Sequence, residues 1–378
     1  VSTEISEKKE PLHEYVARVS GSPVLSDIPR YSQPATPTRN ALPSGIPFVN
    51  AVLFVLTFLT TTMAGAYMAG ADLSLLRPFS SGLQLYAGLT FSIPLMAILL
   101  AHEMGHYVTS RRNRVDVTAP YFIPAPFPSI FIIGTFGAFI RMKSMPRSRR
   151  VLFDIGAAGP WAGALVTIPV LIIGLALSKV GPLKQTAGGL ELGNSILFHS
   201  IAKWILHVDP DTVSVDLSPI AFAGWLGLFV TALNLLPASQ LDGGHVIYAL
   251  FGRRHRTISR LVVLACILMV VVPFMLGKTF WYGWLFWAVM LFAFGLGHPV
   301  TADIDTPLDP MRRFAAWATI ALFIVTFSPV PFSITAPTEP EQQPEEKLYS
   351  VMHTLPAPAT IPLPASPADP MTAPPRSL

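Results

Sequence analysis

QLYAGLTFSIPLMAILLAHEMGHYVTS, residues 84–110, decides the fold. Glu103 is the first charged residue in it, and the run is longer than the roughly 20 helical residues that cross a hydrocarbon core. It ends in HEMGH at 102–106, so reactive side chains stand inside an apolar span. On a helix His102 and His106 lie four positions apart and project from one face, close enough for both imidazoles to hold one zinc ion. Glu103 lies beside them, in the position of a general base for metal-assisted hydrolysis.

Composition agrees with the span. Of 378 residues 51% are hydrophobic and 13% charged, with mean hydropathy +0.51, which excludes an ordinary soluble domain and predicts an all-α polytopic membrane protein. The single cysteine, Cys266, rules out a disulfide framework or a CxxC metal site, so any metal must be held by His and carboxylate. Net charge is only +4, and nucleic acid is not an expected partner.

Six further stretches match the first: 47–71, 151–178, 219–238, 261–277, 280–297 and 314–332, predicting about six to seven transmembrane helices. Basic residues cluster at 111–114, 141–150 and 253–260, which assigns those loops to the cytoplasm and puts the N-terminus on the same side. Residues 119–140 are apolar, but Pro120, Pro124, Pro126 and Pro128 break their start and basic clusters flank both ends. Their β-branched and aromatic run FIIGTFGAFI predicts a small membrane-associated β-hairpin near the site. Residues 195–207 read as an interfacial helix on the outer side. The polar segment 1–46 has no signal-peptide pattern and is expected to be flexible and cytoplasmic, with the missing initiator Met read as a trimmed start. Residues 47–332 form the expected membrane domain, with its core at 84–251, and the proline-rich tail 333–378 is expected to be disordered.

A hydrolytic zinc site keeps three protein ligands and one open position. Asp242, in NLLPASQLDGGH at 234–245, is the carboxylate in the most unusual apolar setting and is the candidate third ligand. Span counting puts it and HEMGH at the same cytoplasmic depth. Gly243 and Gly244 would let a helix approach closely, and Pro237 breaks the helix ahead. An Asp past a helix end is also a common cap, and Asn234 is equally suited to hydrogen-bond a neighbouring helix. His245, three residues on, can approach the metal or a substrate carbonyl. Asp154 reads as the partner of a basic residue at the cytoplasmic edge. His199, His207, His255 and His298 have no partner at ligand spacing and receive no role.

HEMGH paired with NLLPASQLDGG resembles the site-2 protease family of intramembrane zinc metalloproteases, with GAAGPWAG at 156–163 similar to that family's small-residue segment. The resemblance covers roughly residues 84–251, and no stretch between the motifs is long enough for an inserted PDZ domain, as in bacterial, archaeal and plastid-type members. It implies one zinc per chain held by His102, His106 and Asp242, Glu103 as general base, and Asn234 orienting or polarising the scissile carbonyl. It further implies cleavage of a transmembrane protein substrate in the bilayer near the cytoplasmic face, in a prokaryotic cell membrane or an organelle membrane. The substrate would add as a strand to the hairpin, where Gly134 and Gly137 permit close backbone approach. Other readings are an integral zinc peptidase of the CAAX-processing or heat-shock type, which takes a Glu ligand, and a metal transporter or non-catalytic membrane chaperone.

Overall fold

The structure, a computed structural model, describes residues 47–70, 82–127, 131–182, 190–297, 301, 303 and 306–334. The N-terminal segment 1–46, His298 and the tail beyond residue 334 lie outside the described residues. Helices dominate: α1 Phe48–Met68, α2 Gly82–Arg112, α3 Arg149–Ala176, α4 Ile196–Leu206, α5 Pro219–Asn234, α6 Asp242–Phe251, α7 His255–Met275, α8 Gly283–Ala293 and α9 Pro310–Thr326. Four stretches are long and apolar enough to cross a membrane: Phe48–Met68, Tyr86–Arg112, Arg149–Ala176 and Asp242–Met275. Exposed apolar side chains on α1, α7 and α8, among them Val55, Leu59, Leu264, Phe274, Phe286 and Phe292, give these helices a lipid-facing surface. The chain is an integral membrane protein.

The helix at the expected span 219–238 is shorter and more deeply buried than the sequence pattern implies. Its helix, α5, ends at Asn234 and is only 16 residues long, with ten residues from Ala221 to Ala232 buried. A helix apolar all round is a core helix or a lipid-facing span, and sequence pattern does not separate the two. Here α5 is the core: Phe222, Trp225, Leu226 and Leu228 join Phe91, Leu95 and Leu99 of α2 and Leu171 and Leu175 of α3 in the main buried cluster. Gly174 and Gly224 make room for the α3–α5 contact, since a Cβ at either would strike the facing backbone.

The hairpin forms as expected. β1, Tyr121–Pro124, pairs antiparallel with β2, Thr135–Phe139, in the register Phe122↔Ala138, with a bulge before Pro124↔Thr135. α1 holds it: Asn50 Nδ2 donates to the carbonyls of Ala119 and Pro120 at 3.0 and 2.8 Å, and Thr60 Oγ1 to Gly134 O at 2.7 Å. Among the described residues β2 pairs with no strand except β1.

At the opposite end lie two small sheets that the sequence pattern did not predict. β3, Lys179–Gly181, pairs with β5, Ser214–Asp216, and β4, Leu190–Leu192, with β6, Phe332–Ile334. Ser333 and Ile334, expected to open the tail, therefore belong to the ordered part. The helix expected at 195–207 is α4, N-capped by Ser195 and closed by His207 at φ 57°. Asp154 finds its basic partner on α9, where Arg312 grips both carboxylate oxygens at 2.8 Å.

Candidate metal centre

Two helices and one tight turn bring the motifs together. HEMGH lies on the C-terminal half of α2, and His102, Glu103 and His106 are each 6% exposed. α5 stops at Asn234 because Pro237 cannot continue it, and the chain turns through residues 235–241 before α6 starts at Asp242. The turn folds tightly back on α6, so Gly243 and Gly244 make room for the carbonyls of Leu235 and Ser239, not for a second helix as the sequence had suggested. The N-cap position falls on Leu241, leaving the Asp242 carboxylate free of capping duty.

His102 Nε2, His106 Nε2 and Asp242 Oδ2 form a nearly equilateral triangle with sides of 3.1, 3.2 and 3.3 Å. A tetrahedral zinc ion with bonds of about 2.0–2.1 Å sets adjacent ligands ~3.3 Å apart, so the triangle is one face of such a tetrahedron. His106 Nδ1 donates to Ile155 O at 2.8 Å, which leaves the Nε2 lone pair directed into the triangle. Asn234 Nδ2 stands 3.3 Å from His102 Nε2, with its amide beside the same point. The donor set fits a zinc ion.

α3 forms the back wall. Gly156, Gly159 and Gly163 share one helical face. A Cβ at Gly159 would collide with the His106 imidazole, one at Gly156 would come 2.7 Å from the Cβ of His245, and one at Gly163 would come 3.3 Å from His102. Gly105, inside HEMGH, meets the Ala158 carbonyl in the same way. In the sequence, the spacing of three and four between Gly156, Gly159 and Gly163 within GAAGPWAG is the only signal of this wall.

Two cavities meet at Glu103. The larger, about 420 Å³, reaches past His106, Asp242 and His245 to Arg141 and Gln240. The smaller, about 230 Å³, is walled by Leu95, Leu99, Phe229, Leu233 and Trp287. His102, Glu103, Ala138 and Asn234 face both. Gly137, at φ 97°, lines the smaller one, and a Cβ built there would have no neighbour within 4 Å. Gly134, at φ 75°, does make a close backbone approach, but to Thr60 and Thr61 of α1.

Residues 90–277 match the profile of peptidase family M50, a stretch that contains both motifs. That stretch is a peptidase family M50 domain. The chain is 35% identical over 187 residues to the probable zinc metalloprotease EGY1, chloroplastic, of Arabidopsis thaliana, covering 48% of this chain and 32% of that protein. It is 28% identical over 324 residues to the probable zinc metalloprotease EGY2, chloroplastic, of Oryza sativa subsp. indica, covering 85% and 55% respectively. The chain thus spans about a third to just over half the length of these relatives. No solved structure matches it.

A second His and carboxylate group sits outside the M50 motifs. His199 lies 3.9 Å from Asp209 and 3.7 Å from Asp211, partners that no short spacing in the sequence reveals. Lys203 already pairs with Asp209 at 2.8 Å, and that hydrogen bond holds the Asp209 carboxyl below the usual carboxylate range. The group reads as a surface ion network beside α4.

Proposed function

We propose that this chain is an intramembrane zinc metalloendopeptidase of the site-2 type. Its substrate would be a membrane-anchored protein, cut within or near a transmembrane segment. The observation that carries this reading is the 3.1–3.3 Å triangle of His102, His106 and Asp242, built within the membrane domain with Glu103 beside it. The relatives named as probable zinc metalloproteases support zinc as the ion, and we assign one per chain to this buried triangle.

When bound, zinc supplies Lewis acidity, lowering the pKa of a water and polarising the peptide carbonyl. Glu103 accepts the water proton and returns it to the leaving amine. The Asn234 amide donates to the scissile carbonyl as negative charge develops on its oxygen. Ile155 O keeps the His106 ring in its ligating tautomer. A helical substrate hides its peptide bonds in internal hydrogen bonds, so a segment must unwind and find new partners, which the edge of β2, unpaired among the described residues, offers beside Glu103. Gly137 presents open backbone to that strand, Gly134 fixes the hairpin tip to α1, and His245 contacts the substrate from the larger cavity.

The reading includes seven crossings. α9 starts beside Asp154 at the basic end and runs to β6 at the other, while α7 ends away from the basic loops. A return between them is required in this layout, and we assign it to the 11 residues of α8 and the stretch that follows. We place the basic loops and segment 1–46 in the cytoplasm, or in its equivalent for an organelle membrane. The cell membrane of a prokaryote suits this layout, and the chloroplastic relatives make an organelle membrane the alternative. Residues 47–334 constitute the protease domain, two residues beyond the expected boundary. The polar N-terminal segment and proline-rich tail are appendages to it.

Reconstitution with zinc and a panel of single-span substrates tests the function, comparing the parent with Glu103→Gln and reading products by mass. The variant should retain zinc and lose all cleavage. Equal product from both proteins would remove Glu103 from the chemistry, and a transport or holding activity that survives the substitution would point to a non-proteolytic role.

A further inference from the structure

The smaller cavity has a shape and a position that single out part of the substrate. Leu95 and Leu99 precede His102 by seven and three residues on α2, which places them roughly 10 and 4.5 Å deeper along the helix. Phe229, Leu233 and Trp287 close the other side. The cavity therefore extends from Glu103 into the membrane, whereas the larger one extends from the same residue towards Arg141 and Gln240. At about 230 Å³ it is larger than the roughly 150 Å³ apolar cavity that accommodates benzene, and far too small for a helix about 10 Å across.

We propose that this cavity is a specificity pocket for one large apolar side chain, carried by the substrate residue next to the scissile bond on its membrane-ward side. The proposal rests on the proteolytic reading and adds a selection rule to it. A strand laid along β2 sends successive side chains to opposite faces, so one neighbour of the scissile bond enters the cavity and the next points away. The backbone of Gly137 and the small side chain of Ala138 form the wall along which that strand passes. Phe, Leu or Met fills the space and displaces poorly held water. Ala leaves it partly empty, and Asp places a charge against the apolar walls of Leu95, Leu99, Phe229 and Trp287. Selection thus falls on the single residue beside the cut, in an unwound segment, and not on a helix docked whole.

The test uses the full chain in lipid, with zinc, and a single-span substrate whose cut has been located by mass. The residue on the membrane-ward side of the cut is varied through Phe, Leu, Ala and Asp. The parent is expected to cleave the Phe and Leu forms with kcat/KM at least ~10-fold above Ala, and to leave the Asp form uncut at that bond. Leu233→Trp should fill the pocket and reverse the order so that Ala exceeds Phe; Leu99→Ala should enlarge it and admit Trp. Competition for Glu103→Gln, which binds without cutting, should follow the parent's order. A flat profile in the parent, or the parent's order kept by a folded, zinc-loaded Leu233→Trp, overturns the pocket while leaving the protease reading intact. If the parent cuts no substrate at all, the protease reading fails and the pocket falls with it, an outcome distinct from cleavage with a flat profile.

Discussion

At the scale of single residues, the site depends on what α3 lacks. His106 is clamped between Ile155 O and the bare backbone of Gly159, and a methyl group at 159 has no room that the ring does not already occupy. Gly159→Ala should therefore displace the imidazole, lowering zinc content per chain at least ~10-fold in metal analysis of the purified protein, the range seen when a ligand's supporting contacts are lost. Gly163→Ala, whose Cβ would meet His102 at 3.3 Å, should keep most of its zinc. Equal zinc in the two variants would show that α3 does not set the position of His106. The pairing of His102 with His106 was legible because a four-residue spacing on a helix is a local property. Asp242 was legible because span counting carried it to the same depth. The glycine wall was not, since a residue's neighbour across a helix crossing depends on the rotation and tilt of both helices.

At the scale of elements, the hairpin was readable and its anchorage was not. Four prolines and a β-branched run announced β1 and β2, but nothing in α1 announced that Asn50 and Thr60 would tie the strands to it. Asn50 is 3% exposed and satisfies two hairpin carbonyls, so Asn50→Ala leaves both without that donor and should cost ~1–3 kcal/mol of local stability. Substrate cleavage is expected to fall several-fold while zinc content stays at the parent level. Phe136→Pro should act more strongly, because proline removes a strand N–H and fixes φ, abolishing cleavage without releasing zinc. Full activity in Phe136→Pro would take β2 out of substrate binding. The burial of α5 belongs at this scale as well. An all-apolar helix looks the same in sequence whether lipid or protein surrounds it, and α5 is surrounded by α2 and α3.

At the scale of the whole molecule, the depth at which substrate is cut follows from how many times the chain crosses the bilayer. The protein offers a clean background for measuring this, because Cys266, its single cysteine, is fully buried in α7. Arg147 and Arg253 are exposed at the basic end, while Lys179 and Thr212 are exposed beyond the far end of α3. In the proposed seven-crossing layout two crossings, α3 and α5, separate Arg147 from Arg253, and one, α3, separates Arg147 from Lys179. Single cysteines at these four positions, probed with a membrane-impermeant maleimide in oriented vesicles, should therefore label as two pairs. Arg147→Cys and Arg253→Cys should react from one face, Lys179→Cys and Thr212→Cys from the other, with the unsubstituted parent unlabelled. Labelling of residues 147 and 253 from opposite faces would mean that α5 does not return the chain. Asp242 would then be reached from the side opposite to the one proposed, and the cut would fall near the other membrane surface.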